Sequence, residues 1–231
     1  MSNARAFAPL APRCVCCGIA RGDALCEECV DDYMPHAWPR CVRCAARLPG
    51  SNGASTCGAC LAEPPHFDAA VALGDYAPPL DAMILALKGR AQLHLAQAFG
   101  AELARRMRAT ARWHAVVPLP LAFEQLRARG FNQSLELARP VARALGIALT
   151  ADALLRTRDT GPQHLLAREE RRRNVQGAFA VPAAARSRIA EADLLLIDDV
   201  MTSGATLDAA SGALKAAGAA RVTVAVVART P

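Results

Sequence analysis

The stretch LLLIDDVMTSGATLDAA, residues 194–210, decides how the rest of the chain reads. Leu194, Leu195, Leu196 and Ile197 form a short apolar run of the buried-strand type, which ends at two adjacent carboxylates, Asp198 and Asp199. A loop of small and hydroxyl residues follows: Thr202, Ser203, Gly204, Ala205 and Thr206. Leu207, Ala210, Leu214 and Ala217 then recur three or four apart, as one apolar helix face requires, and Gly218 stands where the helix should stop. A strand leaving an α/β sheet at its carboxyl end delivers side chains to the crevice where such folds bind ligands. Backbone N–H groups and hydroxyls at a helix start, together with the helix dipole, attract anions and phosphate above all. Carboxylates beside a phosphate repel it unless they hold something else, and ribose hydroxyls or an oxygen-seeking Mg²⁺ meet that need. The stretch therefore predicts a site for a ribose 5-phosphate with a metal-bound polyphosphate nearby.

Around it, residues 66–231 alternate strand and helix patterns, which predicts a mostly parallel sheet with flanking helices. Residues 67–76 read as a strand with a bulge or bend at Gly74. Residues 80–87 have helical spacing, with Gly89 expected to end that helix, and Lys88 and Arg90 flank this glycine within reach of an anion. Residues 92–107 repeat the helical pattern, and Arg105, Arg106 and Arg108 at its end read as solvated cations opposing the dipole. Residues 115–119 form a second strand that runs into LRARGFNQS at 126–134, where Arg127 and Arg129 precede the turn-permitting Gly130. The following segment is helical, and Pro140 could kink it. Residues 154–179 are polar, charged and interrupted by Gly161 and Pro162, a composition expected of a long functional loop. Its Arg168, Arg171, Arg172 and Arg173 could meet pyrophosphate or a nucleic-acid backbone, or simply form a solvated face; His164 has no visible partner. Residues 221–229 close the chain as a β-branched strand.

Residues 1–65 are different. Cys14 and Cys17, Cys26 and Cys29, Cys41 and Cys44, and Cys57 and Cys60 are four CxxC pairs, each able to wrap a tetrahedral Zn²⁺ with two thiolates. Two Cys₄ structural sites follow. Consecutive pairing is the simplest arrangement, and an interleaved one would use the same residues. Cys16 is a spectator or an alternate ligand, and His36 and His66 are left without a vacancy. Large apolar residues are scarce here, so the metals must replace a core. The boundary between a 1–65 metal module and a 66–231 domain is placed at Pro64 and Pro65.

Composition narrows the class. Of 231 residues 53% are apolar, enough for a core, yet no run approaches the roughly 20 apolar residues of a membrane span. The first residues have no uninterrupted apolar segment of the signal-peptide type, so a cytoplasmic location without membrane insertion is expected. Nine cysteines in that compartment favour metal ligation over disulfides. Residues 1–65 balance six arginines against six acidic groups, so the net +6 lies in 66–231, as anionic ligands would require.

IDDVMTSGAT at 197–206 resembles the signature of type I phosphoribosyltransferases, which bind 5-phosphoribosyl-1-pyrophosphate (PRPP). With the four CxxC pairs, VVPLPL (116–121), RGFNQS (129–134) and the Arg156, Thr160, Gln163, Arg172, Asn174, Val175 pattern, the chain resembles the ComF family almost throughout. That family joins a double zinc ribbon to a phosphoribosyltransferase-like domain and is associated with competence. The resemblance implies two structural Zn²⁺ ions and Mg²⁺ with PRPP. It assigns Asp198 and Asp199 to the ribose hydroxyls and metal, residues 202–206 to the 5-phosphate, and Arg129 and Gly130 to pyrophosphate. Ser203 replaces the family's usual second Thr and keeps the hydroxyl. Thr202 stands where 6-oxopurine transferases have an Asp general base, so hypoxanthine or guanine salvage is not expected. The resemblance also implies a role in using imported DNA, as a Mg-dependent transferase of unknown acceptor. The alternative is a PRPP-sensing module that binds single-stranded DNA or a helicase partner.

Overall fold

In the computed structural model, which describes residues 12–20, 22–35, 38–48, 50, 55–108, 112–158 and 177–231, the apolar run at 194–197 lies in the middle of a parallel sheet. The strands are β1 (Ala69–Asp75), β2 (Ala115–Pro118), β3 (Ala148–Leu149), β6 (Asp193–Met201) and β7 (Arg221–Arg229), in the spatial order β1-β7-β6-β2-β3. Side chains alternate between two cores. Leu194 and Leu196 join Val222, Val224 and Val226 on one face; Leu195 and Ile197 join Ala225 and Val227 on the other. Because both faces are covered, the central strands carry continuous apolar runs rather than alternating ones.

Helices α3 (Leu80–Arg90), α4 (Leu93–Arg108) and α6 (Gln133–Leu145) cover the second face, and α8 (Ala205–Ala216) covers the first. Between them lie the short α5 (Phe123–Arg129) and α7 (Arg186–Ile189). Strands β4 (Leu155–Arg156) and β5 (Phe179–Ala180) pair antiparallel and close the base of the 159–176 segment. Arg168, Arg171, Arg172, Arg173 and His164 fall in that segment, outside the described residues.

Several local expectations are corrected. Gly74 makes no bulge, since Ala72↔Val226 and Gly74↔Ala228 keep one register. It is glycine because a Cβ there would come within 2.6 Å of the Tyr33 carbonyl and 2.4 Å of Leu80. The first helix of the domain passes through Gly89 to Arg90 and is capped by Ala91 in a left-handed conformation. Pro140 lies inside α6 against Gly100 of α4, where a Cβ would approach its ring at 2.3 Å. Arg106 is not a solvated helix end. It is buried, donates to the carbonyls of Ala72 and Leu73 at 3.2 and 3.0 Å and to that of Met34, and pairs with buried Glu102.

The cysteine-rich region packs into both faces of the sheet. Helix α1 (Glu27–Tyr33) brings Val30, and Met34 beyond it, into the core beneath α3 and α4, while Ala45 joins the opposite core. A second short helix, α2 (Gly58–Ala62), begins at Cys57.

Candidate functional site

The sheet reverses its winding between β2 and β6. The chain leaving β2 passes through α5 into α6 on one face, and the chain leaving β6 enters α8 on the other. A crevice opens at such a switch point, outside the carboxyl ends of the strands. Here β2 stops pairing early: Pro118 faces Ile197, Leu119 donates to the Ile197 carbonyl at 2.9 Å, and beyond that β6 pairs with β7 alone. Asp198 and Asp199 therefore do not follow the strand, as the sequence suggested. They lie within it, on the part that extends beyond the end of β2, and the strand continues to Met201.

Both carboxylates are buried, at 9% and 2% exposure, and the start of α6 holds them. Ser134 Oγ donates to Asp198 Oδ1 at 2.8 Å, and Gln133 Nε2 donates to Asp199 Oδ1 at 3.2 Å. Asn132 caps this helix by accepting from Ser134 N–H at 2.9 Å, and its amide donates to the Leu119 carbonyl at 3.0 Å, tying α6 to the end of β2. Gln133, Ser134 and Asn132 were not singled out as site residues from sequence. The signal was present, since Asn before the periodic Leu137, Ala138 and Val141 is a helix-start mark. Lys88, from the last turn of α3, forms an ion pair with Asp199 Oδ2 rather than standing alone as an anion ligand. Arg129 donates to Gln133 Oε1, so it reaches the acidic pair through one amide. It sits in the last turn of α5 and not in a loop, and Gly130 ends that helix with φ +79°.

Burial, then the like charge of Asp199, pushes the Asp198 carboxyl up to about 7, against the opposing pull of Lys88 and Ser134. Two desolvated carboxylates side by side suit a hard cation with oxygen ligands.

The second half of the site is shorter than expected. Ala205 and Thr206 are the first residues of α8, leaving Thr202, Ser203 and Gly204 as the loop proper. Gly204 takes φ +81° at the helix N-cap, Ser203 Oγ accepts from Ala205 N–H at 3.4 Å, and Thr202 is exposed. A 12-residue helix thus points its amino end, through a hydroxyl-rich turn, into the crevice that holds the acidic pair.

The eight predicted cysteine ligands form two clusters, Cys14/Cys17/Cys26/Cys29 and Cys41/Cys44/Cys57/Cys60, which settles the pairing as consecutive. Cys17 and Cys26 sulfurs lie 3.9 Å apart, and Cys44 and Cys57 sulfurs 3.7 Å. A tetrahedron with Zn–S of about 2.3 Å has edges of about 3.8 Å, so these spacings fit a Cys₄ ion and not a disulfide. Burial raises the Cys14 and Cys41 thiols, but backbone N–H donors from Cys17 and Cys26 and from Cys57 and Cys44 outweigh it, bringing them down to about 6 and about 7. Such thiols are ready ligands. The two sites repeat one design. Cys26 N–H donates to Cys14 Sγ at 3.4 Å and Cys57 N–H to Cys41 Sγ at 3.3 Å; Arg13 and Arg40 each bond a carbonyl five residues on at 3.0 Å. PRCV at 12–15 and again at 39–42 announces this duplication, a signal the spacing argument alone passes over. Cys16 belongs to neither cluster, and His66 bonds Asp208 instead of a metal.

The chain is similar to several known proteins. The profile of the phosphoribosyl transferase domain matches residues 132–231. The DNA utilization protein YhgH of Escherichia coli K12 is 34% identical over 82% of this chain and 84% of its own length. Competence protein F of Haemophilus influenzae is 30% identical over 92% of this chain and 94% of its own. Among solved structures, the glutamine PRPP amidotransferase of B. subtilis superposes with TM-score 0.40 at 20% identity, over 57% of this chain and 25% of that one. Among the described residues no helix is long and apolar enough to cross a membrane.

Proposed function

The chain belongs to the ComF family of DNA utilization and competence proteins, which join Cys₄ clusters to a phosphoribosyl transferase domain, and from that membership we propose that it binds PRPP with Mg²⁺ in the β2–β6 crevice. The observation that carries the reading is the buried Asp198–Asp199 pair on the stretch of β6 that lies beyond the end of β2, just before the amino end of α8. Asp198 and Asp199 hold the ribose 2- and 3-hydroxyls and the metal. Thr202, Ser203 and Gly204 with the amides of Ala205 and Thr206 hold the 5-phosphate. Arg129, Gly130 and Lys88, which now pairs with Asp199, would face the pyrophosphate. A Mg²⁺ held by Asp198 and Asp199 would neutralise charge on the leaving pyrophosphate. The two Cys₄ clusters take structural Zn²⁺, since closed thiolate sites leave no position for a reactant. Residues 1–65 then act as a metal module on a 66–231 transferase domain.

We infer that it acts in the use of imported DNA in the cytoplasm, with single-stranded DNA and a competence helicase as partners to test through Arg168, Arg171, Arg172 and Arg173; relatives named DNA utilization protein and competence protein F support the DNA-linked role. Calorimetric titration of PRPP with Mg²⁺ into wild type and into Asp198→Asn/Asp199→Asn tests the site. Binding lost in the double variant supports it. A folded, zinc-loaded wild type that takes up no heat with PRPP sinks it. A screen of nucleobases, nucleosides and DNA with pyrophosphate detection then decides whether transfer follows binding.

A further inference from the structure

The second Cys₄ cluster and the phosphate loop share one guanidinium. Arg229, the last residue of β7, donates from Nε to the carbonyl of the ligand Cys44 at 3.1 Å. Its Nη1 faces the carbonyls of Met201 at 3.3 Å, Thr230 at 2.6 Å and Thr202. Met201 ends β6 and Thr202 opens the turn into α8, so this contact fixes the point at which the chain leaves the sheet for the loop. The same knuckle is anchored to the sheet a second time, at the end of β1. Arg40 and Arg47 pair with buried Asp75, the register partner of Arg229, and Trp38 stacks on Arg47 at 3.4 Å. The first cluster docks elsewhere, through α1 and the Arg106–Met34 contact.

We propose that Arg229 is a positioning residue for the 202–206 loop and that it makes the loop's order depend on metal in the second Cys₄ site. A CxxC knuckle wound around a tetrahedral ion points its carbonyls in fixed directions. Without the ion the Cys44 carbonyl is no longer held, the guanidinium loses a fixed acceptor, and the Thr202 carbonyl loses its clamp. Coupling of this kind is reciprocal, so a ligand that orders the loop tightens metal in the second site and leaves the first indifferent. The ligand half of this proposal rests on the reading of 202–206 as a phosphate loop; the coupling between metal and loop does not.

Hydrogen exchange of the 201–208 peptide in the full, zinc-loaded chain tests it. Arg229→Gln is expected to raise exchange there roughly tenfold, the loss of hydrogen bonds from a charged donor. Cys57→Ser should do the same in wild type and add little in the Arg229→Gln background, whereas Cys26→Ser should leave the peptide unchanged. Additive effects, or a 201–208 peptide as slow in Cys57→Ser as in wild type, overturn the coupling. Should Cys57→Ser fail to fold, metal transfer to a colorimetric chelator decides. PRPP with Mg²⁺ is expected to slow the release of one ion of two in wild type and of neither in Arg229→Gln, while Arg229→Lys restores part of the effect. PRPP that binds wild type and Arg229→Gln with equal affinity, or slows both alike, overturns the proposal and leaves the site reading intact. PRPP that binds neither, with the exchange pattern as expected, removes the site reading and leaves the coupling.

Discussion

Replacing Asp198 by Asn should stabilise the fold, and the gain should depend on pH. The carboxyl is held near 7 in the folded chain against 3.8 for its ordinary value, because burial and then Asp199 disfavour its charge. The folded chain therefore binds this proton more tightly than the unfolded chain does. Stability linked to it is greatest below the ordinary value, falls as pH rises through the interval between the two, and is level above about 7. At 1.36 kcal/mol per pH unit, the ionised carboxylate destabilises the fold by roughly 4 kcal/mol at pH 8 and by less than half of that at pH 5. Asn keeps the shape and can still accept from Ser134, but its buried NH₂ needs a partner, which returns about 1–3 kcal/mol. A net gain of roughly 2 kcal/mol at pH 8 is expected, which is about 4–8 °C in Tm for a chain of this size. The difference between variant and wild type should shrink by roughly 3 kcal/mol between pH 8 and pH 5. Urea unfolding of both zinc-loaded proteins at a series of pH values measures it, and acid loss of metal from the cysteine clusters cancels in the difference. A gain that is flat with pH, or Asn less stable at pH 8, would refute the reasoning that the pair is electrostatically strained.

Other perturbations separate docking from local structure. Gly74→Ala drives a Cβ into the Tyr33 carbonyl, and Gly100→Ala drives one into Pro140 and the Leu137 carbonyl; each should cost about 1–3 kcal/mol in urea unfolding. Gly212→Ala meets only the His66 ring at 3.4 Å and should instead stabilise by about 0.5–1 kcal/mol through helix propensity. Arg106→Leu strips the Met34, Ala72 and Leu73 carbonyls of their donor and should destabilise by about 3 kcal/mol. It should also speed proteolysis within residues 35–65, and cleavage no faster than wild type would show that α1 docks without it. Elemental analysis should find two Zn²⁺ per chain, falling to one in Cys29→Ser or Cys60→Ser, with a chelator lowering Tm of the wild type. A single ion, or none, in a folded wild type would contradict the geometry of the clusters.

What could be read from sequence was whatever a few neighbouring residues settle among themselves. The run at 194–197, the acid pair and the glycine turn before Leu207 announced a strand, a polar edge and a helix start, because burial period and turn chemistry act over a few positions. The four CxxC spacings announced tetrahedral metal sites for the same reason, since each knuckle closes on itself. Family resemblance could be recognised from those short motifs. Which groups would meet across the chain was not written locally. Arg106 had the pattern of a solvated helix end, and only the packing of α1 over α4 and β1 turned it inward to the Met34 carbonyl. Gly74 looked like a bend until Tyr33 lay against it. Gln133 and Ser134 acquired their carboxylate partners 66 and 64 residues away through the early end of β2, and Arg229 met Cys44 across 185 residues. Pairings at such separations are selected by which surfaces bury together, so they carry no periodic or spacing signature. The tertiary structure alone decided them, and with them the electrostatics of the site.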